Sequence, residues 1–443
     1  MAQGATHPHG ATGGWRHPPR AGRQTDHGQG DTTDDDHTRD DDTRDDDTRD
    51  DTRDDTRDDD IMTTQKQAMT PEGTARPRSG GARPPRSTPL TTITPMRPGW
   101  TTFARAVLDV LPHTPWGAST ELEQLAFIHS ARWAIVRDLW VDGRRHRPRY
   151  DYLLFESNFD GPFGAYVEAF ADVLGLRMRL VWNSSFGFPN HPADERLPLP
   201  RRLRRPIPGR AFVDYVRRCD LGADHYYCAV DASTRQILEG LIALDGLRDG
   251  VDTATILARM RGPAVPARQP SRCADDRRGD HVALTTLAPI VPGAEPSLRA
   301  ALADLRSRGA SASPFHAVPG LHHARWVVVD ELPALPGAAR DAWPRAYLLM
   351  TATLDAGALP VTAAGPDPAE HLSRHLGEAA RDVHEHCEGV GGDLGAWLGR
   401  HRIGSQRFYS GYPFVDRAGV GAALDARALL LLRATQDADE HRS

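Results

Sequence analysis

The chain has 443 residues, 39% of them hydrophobic and 26% charged, with a formal charge of −6. That length suits two or three domains. There is no run of the roughly 18 to 20 apolar residues that a membrane span needs and no apolar signal-peptide core, so the expectation is a cytoplasmic protein without a membrane partner. The four cysteines form no CxxC pair, which excludes a zinc ribbon and a disulfide scaffold.

Residues 31–60 hold 17 Asp and 5 Arg, a charge of −12, so the rest of the chain sums to +6. Such a run offers no apolar surface against chain entropy, and residues 63–98 continue with Pro, Arg, Ser, Thr and Gly. Residues 1–98 are therefore expected to be a disordered tail, either a solvated spacer or an acidic interaction segment.

The first folded region, 99–260, opens with "TTFARAVLDVLP" where a first strand is expected. "STELEQLAFI" (119–128) has the pattern of a capped helix, with Ser119 or Thr120 as cap and Glu123 behind it. "FIHSARWAIV" (127–136) and "YDYLLFESNFD" (150–160) alternate like strands, and "GAYVEAFADVLG" has helical spacing. An insert over 190–210 contains the basic stretch "RRLRRPIPGR". It lacks interleaved aromatics, so nucleic acid is not expected as a partner.

Residues 261–280 read as an interdomain linker, and a second region spans 281–435. "HVALTTLAPIV" (281–291) is a strand, and "EPSLRAALADLRSRG" (295–309) is a helix with Leu298, Leu302 and Leu305 on one face. "GLHHARWVVV" (320–329) and "RAYLLMTATLD" (345–355) are strands. The helices "DPAEHLSRHLGEAARDVHEHCEG" (367–389) and "GDLGAWLGRHR", the strand "QRFYSGYP" and a closing helix from Arg417 follow.

The two regions repeat each other. Residues 127–136 match 320–329, both reading apolar–His–x–Ala–Arg–Trp. Residues 150–160 match 345–355, with Tyr152 against Tyr347. "YVRRCDLGADHYYCAV" (215–230) aligns with "WLGRHRIGSQRFYSGY" (397–412). Three matches in one order imply an internal duplication into paired domains rather than a solenoid. The element order β-α-β-β-α-β is the ferredoxin-like unit. The expected fold class is α+β: two tandem ferredoxin-like repeats packed sheet to sheet, because each sheet has helices on one face only. In this the chain resembles the dimeric α/β-barrel superfamily, which includes chlorite dismutases and dye-decolorising haem peroxidases. No characterised family is identified beyond that. The resemblance implies a small-molecule or cofactor-binding oxidoreductase-like protein, with haem as the cofactor to consider. The peroxidases' G-x-x-D-G motif is only partly matched by "SNFDG" (157–161), where Asp160 also reads as the cap of the helix after it. The alternative is a non-catalytic binding or assembly protein whose barrel is filled with side chains.

Strand alternation puts His129, Ala131, Trp133 and Ile135 on one face and Arg132 on the other. His322, Ala324, Trp326 and Val328 are likewise opposed to His323 and Arg325. Trp and aliphatics suit packing under helices, so the Arg face is expected to point toward the opposing sheet. A buried Arg needs acceptors. Glu156 is expected to neutralise Arg132 as a structural pair. Its counterpart is Thr351, so Arg325 is the candidate for an anionic or carbonyl-bearing ligand, with His323, His322, His316, Thr351 and Tyr347 around it. The alternative for Arg325 is a bond to Asp330, Asp341, Asp355 or backbone carbonyls. No catalytic residue is assigned. No metal site is expected, since His384, His386, Cys387, His225 and Cys228 have no recognised ligand spacing.

Overall fold

The computed structural model describes residues 87–110, 125–190, 207–263, 276–362 and 365–440, with the single positions 122, 198 and 201. The acidic run and the proposed cap at Ser119 or Thr120 lie outside them. The described chain is α+β, built on two main antiparallel sheets.

The first sheet has the order β1 (Ser87–Pro95), β5 (Tyr152–Asp160), β2 (Ile128–Val136), β13 (Ser405–Ser410). The second runs β6 (His225–Cys228), β9 (Leu321–Val329), β10 (Tyr347–Asp355), β8 (His281–Pro289), β7 (Arg277–Arg278), and two short hairpins pair β3 (Leu139–Val141) with β4 (Arg144–His146) and β11 (Val361–Thr362) with β12 (Gly365–Pro366). The last strand of each region therefore lies in the other region's sheet. The crossing segments explain how. Leu221 N–H bonds Thr91 O beside β1, and the chain then leaves to pair Tyr226 with Arg325. Ile403 N–H bonds Thr285 O beside β8, and that chain leaves to pair Phe408 with Arg132. Each segment starts against its own first strand and ends in the opposite sheet.

β1 lies within the stretch expected to be disordered tail. Its sequence, "STPLTTITP", carries two prolines, which read as linker. Thr and Ile still suit a pleated edge, and β1 pairs with β5 over its whole length. "TTFARAVLDV", placed where a strand was expected, is accordingly the helix Thr101–Val110 that follows it. β7 likewise falls inside the expected linker. Residue 128, the expected end of a helix, begins β2. The single helix expected over 367–389 breaks after Leu376, where Gly377 takes φ +31°.

Both sheets are covered on both faces. Trp133, Phe155 and Leu153 pack beneath the helices Phe163–Trp182 and Gly209–Cys219. Trp326, Leu348 and Met350 do the same with Leu298, Leu302 and Leu372 of the second region's helices. Between the sheets, Ile93, Val136, Tyr152 and Leu154 meet Leu287, Val327, Val329 and Leu349. The interlayer is apolar at that end and polar toward the other, where Arg132, Glu156, Arg325, Thr351 and Thr285 are all buried.

Candidate functional site

The polar end of the interlayer is made by two β-bulges. The β2–β5 register slips between Ile128 and Ser130, and the β9–β10 register slips between Leu321 and His323. Each slip leaves one extra residue, His129 in β2 and His322 in β9. A bulge reverses alternation locally. Ile128 and Leu321 turn toward the helices, and both histidines join the Arg face instead of sharing the Trp face as strict alternation predicts.

Each bulge histidine meets the last residue of the neighbouring strand. His129 Nε2–H donates to Asp160 at 2.9 Å, and His322 Nε2–H donates to Asp355 at 2.6 Å. The second oxygen of each carboxylate accepts the first backbone N–H of a helix, Thr234 at 2.7 Å and Arg417 at 3.0 Å. Asp160 therefore does not cap the helix that follows it, whose start at Pro162 has no side-chain cap. It serves the helix Thr234–Arg248 some seventy residues on. Helix N-termini favour a carboxylate because their free amides and dipole are positive.

The two ends then diverge. Opposite Asp160 in the ladder stands Ser87, whose hydroxyl bonds Tyr226. Opposite Asp355 stands His281. The His281 ring lies 4.3 Å from that of His322, centroid to centroid. Its Nε2–H donates to Val415 O at 2.8 Å, and its Nδ1 accepts from the Ser410 hydroxyl at 2.8 Å. Nε2 is also 4.0 Å from Asp355 Oδ1. Gly320, at φ +67°, packs so closely that a Cβ would come within 3.0 Å of both the Cβ and Oδ2 of Asp355. Only glycine fits there without shifting the carboxylate.

Burial, and then the neighbouring His322, push the His281 imidazole down to about 3, so it is neutral at physiological pH. Burial pushes the Asp355 carboxyl up. The His322 hydrogen bond and charge and the Arg417 amide outweigh it and hold Asp355 below the usual carboxylate range. His323 lies 5.1 Å from His129, ring to ring, and is driven well below its ordinary value by burial and then by His129 and His322.

The residues singled out from the sequence do not line one cavity. Arg132 donates from Nε to Glu156 Oε1 at 2.9 Å, with a second contact from Nη2. Arg325 does not lack protein partners. Nη1 donates to Leu90 O at 2.6 Å and Thr91 Oγ1 at 2.9 Å, and Nη2 to Ser157 O at 3.2 Å and to Asn158 Oδ1. All four acceptors lie on β1 and β5 of the opposing sheet, which sequence spacing within one sheet does not reveal. Thr351 is opposite Arg325 in the ladder. Tyr347 is at the far, apolar end, its hydroxyl bonded to Trp140 O at 3.0 Å. His316 is exposed on the helix side, against Tyr227. Of the six ligand candidates only His322 and His323 reach the cluster. His281, Asp355 and Ser410 were missed. The signal for Asp355 was present, since the matched strands end in Asp160 and Asp355 at one alignment position.

A cleft of about 530 Å³ opens onto this end, with Asp355 and Val415 in its wall beside Asp245, Arg248, Asp280 and Phe414. A second cavity, of about 630 Å³, lies at the apolar end between Tyr150, Tyr152, Arg218 and the loop from Val329 to Trp343. His316, His322 and His323 line neither cavity, so a haem has no axial ligand from them there. No helix among the described residues is long and apolar enough to cross a membrane.

No family matches the chain, and no characterised protein does. Among solved structures, an anthrone oxidase-like protein aligns over 75% of this chain and 95% of its own, at 10% identity and a TM-score of 0.22. A score that low carries no argument about fold or function.

Proposed function

We propose that this chain is a duplicated ferredoxin-like barrel that binds a small molecule in the cleft at Asp355, with Asp355 in the cleft wall and His281 and His322 behind it. The observation that carries the reading is asymmetry. Both regions build a bulge histidine, a carboxylate and a helix N-terminus into one unit, and the first region does so without a counterpart of His281. The structural role therefore does not require His281. Where the first region has Ser87, the second buries a whole imidazole, held by the Ser410 hydroxyl and the Val415 carbonyl, and a buried titratable group that the shared structural unit does not need is a functional candidate. Asp355 meets the cleft, and the His322 ring behind it orients its carboxylate. This arrangement suits accepting a hydrogen bond from a bound hydroxyl or ammonium group, the contact an oxidoreductase-like protein makes with such a substrate.

The cleft wall carries Asp245, Asp280, Asp355 and Asp416 against Arg248, which favours a cationic or hydroxyl-rich molecule. The alternative of a non-catalytic, side-chain-filled barrel accounts for the apolar interlayer. It does not account for His281. The test is a thermal-shift screen of small amines and polyols on chelator-treated protein. Compounds of these classes are expected to raise the melting temperature, and the double variant Asp245→Asn, Asp280→Asn is expected to lose the effect. If no amine or polyol stabilises the protein, or the double variant responds like the wild type, the cleft reading is overturned.

A further inference from the structure

We propose that His281, His322 and Asp355 form a binding site for a divalent transition-metal ion, a deepening that rests on the reading above. Two imidazoles and a carboxylate suit such ions as Fe(II), Co(II) or Zn(II), which take nitrogen and oxygen donors together. One ligand atom from each of His281, His322 and Asp355 lies within 4.8 Å of the other two, and all three residues are buried; Asp355 Oδ1 is 2.6 Å from His322 Nε2 and 4.0 Å from His281 Nε2. His281 Nε2–H now donates to the Val415 carbonyl at 2.8 Å, a bond that must be given up for the ring nitrogen to meet the ion and that leaves the carbonyl oxygen nearby as a further oxygen donor.

The adjustments required are small. Ligands about 2.0–2.2 Å from a metal lie about 3 Å apart. His322 Nε2 and Asp355 Oδ1, now 2.6 Å apart, must open slightly, and His281 Nε2 must close from 4.0 Å toward the carboxylate. Both Nε2 atoms carry their proton on the ligand side in the metal-free state. Binding displaces the Nε2 proton of each ring, which passes to Nδ1 of a neutral imidazole or to solvent from a protonated one. For His281 the outer partner already exists. Nδ1 faces the Ser410 hydroxyl at 2.8 Å, which turns from donor to acceptor. Metal-bound histidines regularly carry such an outer hydrogen bond.

Two features set this end apart from its counterpart. Ser87 replaces the second imidazole opposite Asp160, so the first region offers one histidine and one carboxylate. The acidic cleft also opens beside Asp355 and Val415 and gives a cation an electrostatically favourable approach. Arg417 stays on its backbone contact with Asp355 Oδ2, which leaves Oδ1 for the ion.

The test uses the full chain, stripped with a chelator and titrated with Co(II) and Zn(II) alone, read by calorimetry and by the visible absorption of Co(II). One ion per chain is expected, bound at micromolar concentration or tighter. His281→Ser copies the residue of the first region and is expected to weaken binding at least 100-fold, as is Asp355→Asn. His129→Gln, at the counterpart, is expected to leave binding unchanged. Circular dichroism of each variant checks that it folds, and the wild-type titration stands on its own if one does not. No saturable one-to-one binding to the wild type overturns the metal site, and so does binding that His281→Ser and Asp355→Asn leave intact. Because the cleft screen is run on chelator-treated protein, a failed metal titration leaves that result standing, and a failed screen leaves the titration standing.

Discussion

Replacing Arg132 and Arg325 by Met, one at a time, separates two kinds of buried cation. Both side chains are 1% exposed. Arg132 is bonded to Glu156, itself 4% exposed, so Arg132→Met strands a buried carboxylate. Breaking a buried ion pair from one side costs on the order of 3–5 kcal/mol, because the remaining charge has lost its compensation. Arg325 is held by two carbonyls, a hydroxyl and an amide oxygen, all neutral. Arg325→Met leaves no bare charge and removes a desolvated cation. Its cost is the lost hydrogen bonds less that relief, about 1–3 kcal/mol. The expected order is therefore Arg132→Met worse than Arg325→Met, with both destabilising. For a chain of this size 3–5 kcal/mol lowers the melting temperature by roughly 4–7 °C. The assay is urea denaturation of both variants and of the double variant Arg132→Met, Glu156→Leu. The double variant should recover at least about 2 kcal/mol over Arg132→Met alone, because a buried pair replaced as a unit by apolar side chains is close to neutral. A double variant no more stable than Arg132→Met alone would refute the argument, as would an Arg325→Met variant as stable as the wild type.

Three further expectations follow from the same structure. Gly240 lies where a Cβ would sit 2.5 Å from the carbonyl oxygen of Ala423, so Gly240→Ala should separate two packed helices and cost roughly 1–3 kcal/mol by denaturation despite alanine's better helix propensity. Burial first of all pushes His225, His384 and His401 down to about 4, so below pH ~6.5 the unfolded chain takes up protons that the folded chain refuses. Stability should be complete above that pH and fall toward pH 4. His384→Leu, which removes two unpartnered ring nitrogens from between Trp326 and Trp397, should hold stability at pH 7.5 and flatten the slope by about one proton, and an unchanged slope would count against it. A chain limited to residues 87–263 should not give a cooperative unfolding transition, because β13 is missing from its sheet and β6 has no sheet to join; a sharp melt of that fragment would show the strand exchange to be dispensable.

Much of the layer arrangement was legible from alternation and repetition. Trp133 and Trp326 lie under helices, and Arg132 and Arg325 face the opposing sheet, as the strand pattern required. Three things were not legible, each for a physical reason. β1 hid behind Pro89 and Pro95, which an edge strand tolerates and a central strand does not. The partners of Arg325 come from 167 to 235 residues away in sequence, so a local comparison of Glu156 with Thr351 missed them. The bulges were invisible because strict alternation assigned His129 and His322 to the wrong face, and a single extra residue reverses that assignment.

That reversal bears directly on why the chain carries the same strand twice. Without a bulge, His129 and His322 would lie among tryptophans and aliphatics beneath the helices, with no acceptor in reach. With it, each reaches an aspartate that also holds the first amide of a helix following a crossing strand. The unit thus ties together a strand from one sheet, its neighbour, and the helix that leaves the exchanged strand, at the point where each crossing connection must be fixed. A tie of this kind is needed at both crossings between two sheets that exchange strands, which is reason enough for both matched strands to keep histidine and aspartate. It places no demand on the residue opposite the aspartate, where one copy has a serine bonded to Tyr226 and the other a histidine bonded to Ser410 and Val415. The position free of the structural task is the one at which the two units differ, and there the second region buries an imidazole where the first has a serine. Function is therefore to be sought at His281 before it is sought in the residues that the copies share.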